Sequence, residues 1–223
     1  MISPGKIEQQ INELIGYLVK VGLADSFNFP FTRRKSGQVT EISFVGSSYL
    51  STALKENSNY LEIYDGLHSE GAYNVRLLDG ALISMRYLYV DSSLKQHYLS
   101  FYPSPYLEEY QSDPEIYLDE SNVFAEIVAR NVVPFPIRFD FDCRENIFQP
   151  IIHPRSHLTL GQYKRCRIPV TAPLTPYRFI SFILRNFYNT AFQDYADKMP
   201  SFSRTFQESI VAEEKTVIHV QVP

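Results

Sequence analysis

Tryptophan is absent from this chain, cysteine occurs only twice, and no apolar run approaches the roughly 20 residues that span a bilayer. Each absence removes a class of protein. No transmembrane helix can be placed, and no membrane partner is expected. Cys143 and Cys166 are too few for a disulfide framework, so a small cross-linked secreted scaffold is excluded and both are read as reduced thiols. The opening residues M-I-S-P-G-K-I-E-Q-Q lack the basic start and unbroken apolar core of a signal peptide, which points to a cytoplasmic protein. The chain has no Walker phosphate loop, Rossmann glycine pattern, G-x-S-x-G or H-E-x-x-H, so the common nucleotide-cofactor, serine-hydrolase and zincin classes are set aside. One absence is local. From Asn146 to Gln193 there is no Asp or Glu but there are six basic residues, whereas Glu108–Glu145 carries ten acidic ones. Such asymmetry suits an anionic ligand or an acidic partner, or else two segments that pair with each other in the fold.

What is present suits one globular domain over residues 1–223, with 44% apolar and 21% charged residues. The 16 Tyr and 16 Phe lean the chain toward sheet. Ser3-Pro4 starts a helix whose apolar positions Ile7, Ile11, Leu14, Ile15, Leu18 and Val19 follow helical spacing, with Gly22 as a stop. Arg33-Arg34-Lys35 reads as a loop, Gln38–Val45 as a strand, Ser48–Lys55 as a short helix and Tyr60–Tyr64 as a strand. Asp79-Gly80 between two β-prone runs is a hairpin signature, and Gln96–Tyr102 continues the antiparallel meander. A middle helix, capped by Asp119 or Ser121 and running to Arg130, precedes strands at Pro136–Asp142, His157–Leu160 and Cys166–Val170. Thr175-Pro176 opens the longest helix, Tyr177 to about Asp197, and Thr216–Val222 alternates as a terminal strand. The order predicts an α+β fold with a largely antiparallel sheet, an N-terminal helix, a middle helix and a long helix in the C-terminal half.

The chemistry concentrates between Pro136 and Val170. With a period of two, Ile137, Phe139 and Phe141 take one strand face and Arg138, Asp140 and Asp142 the other. On the next strand His157 and Thr159 share a face opposite Leu158 and Leu160. Carboxylates two apart on a strand point to one side and suit a hard cation, so Mg²⁺ or Mn²⁺ on Asp140 and Asp142 is the expected cofactor, with His157 for proton transfer. Arg138, Arg155, Thr159, Lys164, Arg165 and Arg167 are the expected phosphate-binding groups. The bland alternative is an ion-pair lattice in which these carboxylates are structural. A zinc site from Cys143, His153, His157 and Cys166 matches no standard spacing, because Pro154 blocks a helical His-x-x-x-His.

The run R-F-D-F-D, with H-P-R-S-H-L-T-L-G, C-R-I-P-V, P-L-T-P and F-I-L-R-N-F-Y, resembles an uncharacterised bacterial family, domain of unknown function 2290, over most of the chain. That resemblance implies a bacterial, cytoplasmic protein and brings no assigned activity. His157-Leu158-Thr159-Leu160 looks like one half of the two-histidine phosphoesterase signature; the second copy is missing. Asp140-Phe141-Asp142 followed by His157 is similar to motifs of archaeo-eukaryotic primases, and Glu213-x-Lys215 to the tail of a restriction-endonuclease motif without its Pro-Asp partner. Together these favour phosphate chemistry. The sequence therefore predicts a protein that binds or processes nucleic acid or a nucleotide, in a defence or toxin–antitoxin setting. The alternative is a non-catalytic module that docks on a protein partner through residues 106–126 or the N-terminal helix.

Overall fold

The computed structural model describes residues 2–35, 37–53, 59–106, 135–163 and 166–223. The expected middle helix and all but the first residue of the 106–126 segment, together with Lys164 and Arg165, lie outside the described residues.

The described residues form an α+β fold on one antiparallel sheet of nine strands: β1 (Ala24–Phe27), β2 (Phe31–Lys35), β3 (Val39–Ser43), β4 (Val75–Leu77), β5 (Leu82–Val90), β6 (Ser93–Tyr102), β7 (Ile137–Asp142), β8 (Ser156–Leu160) and β9 (Ile168–Pro169). The order β1-β4-β5-β6-β7-β8-β9 forks at β5. Its start pairs with β4 (Val75↔Ile83) and its end with β3 (Ile42↔Tyr87), so one long strand carries two neighbours on the same edge. The Asp79-Gly80 hairpin forms as the sequence predicts. Gly80 sits at φ +85, and a Cβ there would meet Ser104 Oγ at 3.0 Å, so only glycine fits the turn.

Helices α1 (Pro4–Lys20) and α4 (Pro176–Phe187) cover one face of the sheet and touch each other. Ile7, Ile11, Leu14 and Ile15 of α1, with Phe179, Ile180 and Ile183 of α4, are wholly buried with Met85, Tyr87, Leu99 and Phe139. The apolar stripe of α1 is thus covered by its own sheet and is not free to dock a partner. Helices α2 (Ser47–Ala53) and α3 (Tyr60–Ser69) build a second, smaller core with Phe44, Leu82 and Tyr102. Among the described residues no helix is long and apolar enough to cross a membrane.

Five local readings are corrected. Tyr60–Tyr64 is helical because Asn59 and Glu62 form a reciprocal capping box, which outweighs the β-preference of Tyr and Ile. Arg33–Lys35 is strand, not loop: as an edge it tolerates charge, and Lys35 pairs with Glu41 at 2.7 Å across the ladder. The long C-terminal-half helix breaks at Tyr188 (φ −133, ψ 55), beyond which α5 (Asn189–Tyr195) begins. Tyr188 is buried there and its hydroxyl donates to Asp79 at 2.7 Å. The terminal strand reduces to one parallel bridge, Val170↔Val220. Pro169 has no N–H to give a ladder and offers only its carbonyl, to Val220 N–H at 2.9 Å. β9 is likewise shorter than Cys166–Val170, since the Cys166 N–H turns back to the Tyr163 carbonyl at 3.3 Å.

A candidate anion-binding cleft

Strand β7 sets the site. Its apolar residues Ile137, Phe139 and Phe141 are buried on the helix-covered side, and its polar residues point the other way. The registers then complete the polar face. Across β7–β8, Arg138 stands opposite Thr159 and Asp140 opposite His157. Across β6–β7, Ser100, Tyr98 and Gln96 stand opposite Arg138, Asp140 and Asp142. The one-sided pattern expected from the sequence is therefore realised, and it lines a cleft of about 360 Å³.

The two carboxylates have opposite surroundings. Both oxygens of Asp142 are engaged: Arg144 donates Nε at 3.0 Å and a terminal guanidinium N–H at 2.6 Å, its backbone N–H adds a bond at 3.0 Å, and Gln96 donates at 2.7 Å. Burial works against ionisation of Asp142, but these donors outweigh it and hold its pKa below the usual value. Asp140 accepts no hydrogen bond from the described residues. Burial lifts its pKa to about 6, against the opposing pull of Arg138 and Arg167.

His157 is 5% exposed, and its Nε2 lies 3.8 Å from Asp140 Oδ2. Its Nδ1 is 2.9 Å from the Pro154 carbonyl, which fixes the proton on Nδ1 and leaves the Nε2 lone pair toward Asp140. Burial, with Arg167, His153 and Arg138 adding to it and the Pro154 bond opposing, drops its pKa to about 3. Near neutrality His157 is therefore an uncharged imidazole, and Asp140 is the group of this pair that changes charge there. His153 packs edge-on to His157 at 5.3 Å, and its pKa is lowered by burial and by Arg167.

The cleft gathers Arg138, Asp140, Asp142, His157, Thr159 and Arg167 of the expected set. It does not gather Arg155, which pairs with Glu145 at 2.6 Å and lies over the Phe148 ring. That pair joins the acidic and acid-free segments, as the structural alternative anticipated. The cleft adds Tyr98, Arg144, His153, Tyr163 and Cys166. Tyr98 could be found only from the β6–β7 register. Arg144, two residues beyond Asp142 and outside the strand, carries no periodic signal. The Arg138 Nε is shielded from solvent and has no hydrogen-bond partner among the described residues. Among the described residues no three His, Cys, Asp or Glu side chains are grouped to hold a metal. With Asp142 closed by Arg144, the Asp140–Asp142 pair does not fit a shared Mg²⁺ or Mn²⁺ unless that arginine moves away.

No curated protein and no solved structure matches the chain. The sequence model of one family, an uncharacterised conserved protein designated DUF2290, matches residues 23–222, and the chain belongs to that family.

Proposed function

We propose that the cleft binds the phosphate of a nucleotide or nucleic-acid strand and places it beside an acid–base carboxylate. The observation that carries this reading is the convergence of Arg138 and Arg167 on Asp140, with a shielded Arg138 Nε that no acceptor among the described residues satisfies. A buried donor without an acceptor is costly, and an oxyanion removes that cost while meeting the guanidinium fork. Tyr163, 77% exposed on the cleft wall, offers a ring face on which a base can stack. In this reading the arginines hold the phosphate, and Asp140, with a pKa near the working pH, accepts or returns the proton. His157 stays uncharged beside Asp140. No step is routed through a metal.

Calorimetry with adenosine monophosphate and a short oligothymidylate, on the wild type and on Arg138→Met/Arg167→Met, tests the proposal. The expected result is binding that weakens as salt rises and falls at least about tenfold in the variant. Equal binding by the two proteins, or no binding of either probe, overturns it. Titration with Mn²⁺ separates out the divalent-metal reading. That reading requires micromolar binding that disappears in Asp140→Asn/Asp142→Asn, and the engagement of Asp142 predicts none. For the partner-module alternative, the apolar stripe of α1 is covered by the sheet while the other face of that helix stays exposed.

A further inference from the structure

On the other side of β7 a second cavity, of about 820 Å³, lies between α4, α5 and the C-terminal segment, with Phe139 on its wall. Its size falls within the range of small-molecule sites. Phe139, Phe182, Phe192 and Met199 supply the apolar part of a mixed polar and apolar lining. Four polar residues of α4 belong to that lining: Asn186, and Arg178, Ser181 and Arg185, which recur at helical spacing on one face. The Arg178 Nε and the Ser181 Oγ are both shielded from solvent and have no hydrogen-bond partner among the described residues. Arg178 lies near the Tyr177 ring at 5.9 Å, and neither Arg178 nor Arg185 is within 4 Å of a described carboxylate. The acidic residue on the cavity wall, Asp197, is exposed.

Two guanidinium groups without a counter-ion among the described residues, a shielded hydroxyl and aromatic side chains in the lining define a particular kind of guest. We propose that this cavity binds an organic anion with an apolar tail. Its carboxylate or phosphate head is held by Arg178, Ser181 and Arg185, and its tail packs on Phe182 and Phe192. The head satisfies the two shielded polar atoms, which a purely apolar guest leaves unpaired at a cost. The tail removes aromatic surface from water. The site is independent of the cleft, since it lies on the opposite face of the sheet and shares none of the cleft's charged residues.

The test uses displacement of anilinonaphthalene sulfonate fluorescence from the full chain by decanoate, decyl phosphate and decanol. Decanoate or decyl phosphate is expected to displace the dye at least about tenfold more effectively than decanol, and the better of the two identifies the head group. Arg178→Met/Arg185→Met should abolish that preference, while Arg138→Met in the cleft should leave it unchanged. If decanol competes equally in the wild type, or no amphiphile displaces the dye, the proposal is wrong. The wild-type comparison stands even if the double variant fails to fold.

Discussion

The two faces of β7 differ by one residue of phase and by everything that follows from it. Ile137 and Phe139 join the helices in the buried core, and Phe141 is buried against His97. Arg138, Asp140 and Asp142 meet a cleft whose occupants are charged and only partly satisfied. The contrast repeats within the polar face, where Asp142 is closed by Arg144 and Gln96 while Asp140, two residues away, is left with an elevated pKa. Stability and chemistry are thus separated by side on one strand.

Substitutions should break that comparison in order of size. Phe139→Ala should cost about 3–5 kcal/mol in chemical denaturation, because Phe139 is 1% exposed and stacks edge-on with Phe179 and Phe182. A loss below about 1 kcal/mol would mean the helix-covered face is not the stabilising one.

Acid should come next. His97, 1% exposed on the core face, accepts the Leu174 N–H at 3.1 Å, and burial lowers its pKa to about 3, as it does that of His157. The unfolded chain takes up protons on both below about 6.5, and the folded chain does not. Stability is therefore lost as pH falls from that value, at about 1.4 kcal/mol per pH unit for each histidine. Asp140 has the opposite sign. Its raised pKa contributes stability that is fully present below the ordinary carboxylate value and lost as pH rises through about 6, so it offsets one histidine between those limits. Urea midpoints should fall from pH 7 to pH 5, and His97→Asn should flatten the slope. A flat profile in the wild type would falsify the buried neutral histidines.

The two carboxylates should then respond differently to the same change. Asp142→Asn breaks the fork with Arg144, whose side chain is 57% exposed and can return to water, and should cost about 1 kcal/mol at pH 7. Asp140→Asn removes a charge that burial disfavours and should leave stability unchanged or slightly raised, while shifting any pH dependence of ligand binding near 6. Equal losses would erase the distinction drawn between them. Least of all, Arg155→Ala should change stability by about 0–1 kcal/mol and leave phosphate affinity intact, because its Glu145 partner is 77% exposed and Arg155 is outside the cleft.

Much of this was legible in the chain. Period-two alternation placed Arg138, Asp140, Asp142, His157 and Thr159 on common faces, and the registers bring those faces together. The α+β class followed from the order of elements. What periodicity cannot carry is the partner of each charge. That Arg144 folds back on Asp142, or that Arg155 turns to Glu145, depends on loop geometry. The helix at Tyr60 was missed because a cap outweighed composition. The break at Tyr188 was missed because its buried partner, Asp79, lies over a hundred positions away in sequence, at a separation of 109. Strand β1 was not anticipated: its partner is β4, and only Leu77 opposite Ala24 and Val75 opposite Phe27 reveal the pairing.

The link between β5 and β6 is two residues, Asp91 and Ser92, both with positive φ (50 and 62). That is the type I′ geometry whose twist matches the strands it joins, here built without glycine. A loop so short closes at little entropic cost, and it joins the two longest strands, so this hairpin is the natural starting point of folding. The remaining strands can then add outward on both sides, and the Val170–Val220 bridge closes last. Asp91-Ser92→Asn-Gly should accordingly speed refolding while leaving the unfolding rate nearly constant; a change confined to unfolding would move the nucleus elsewhere.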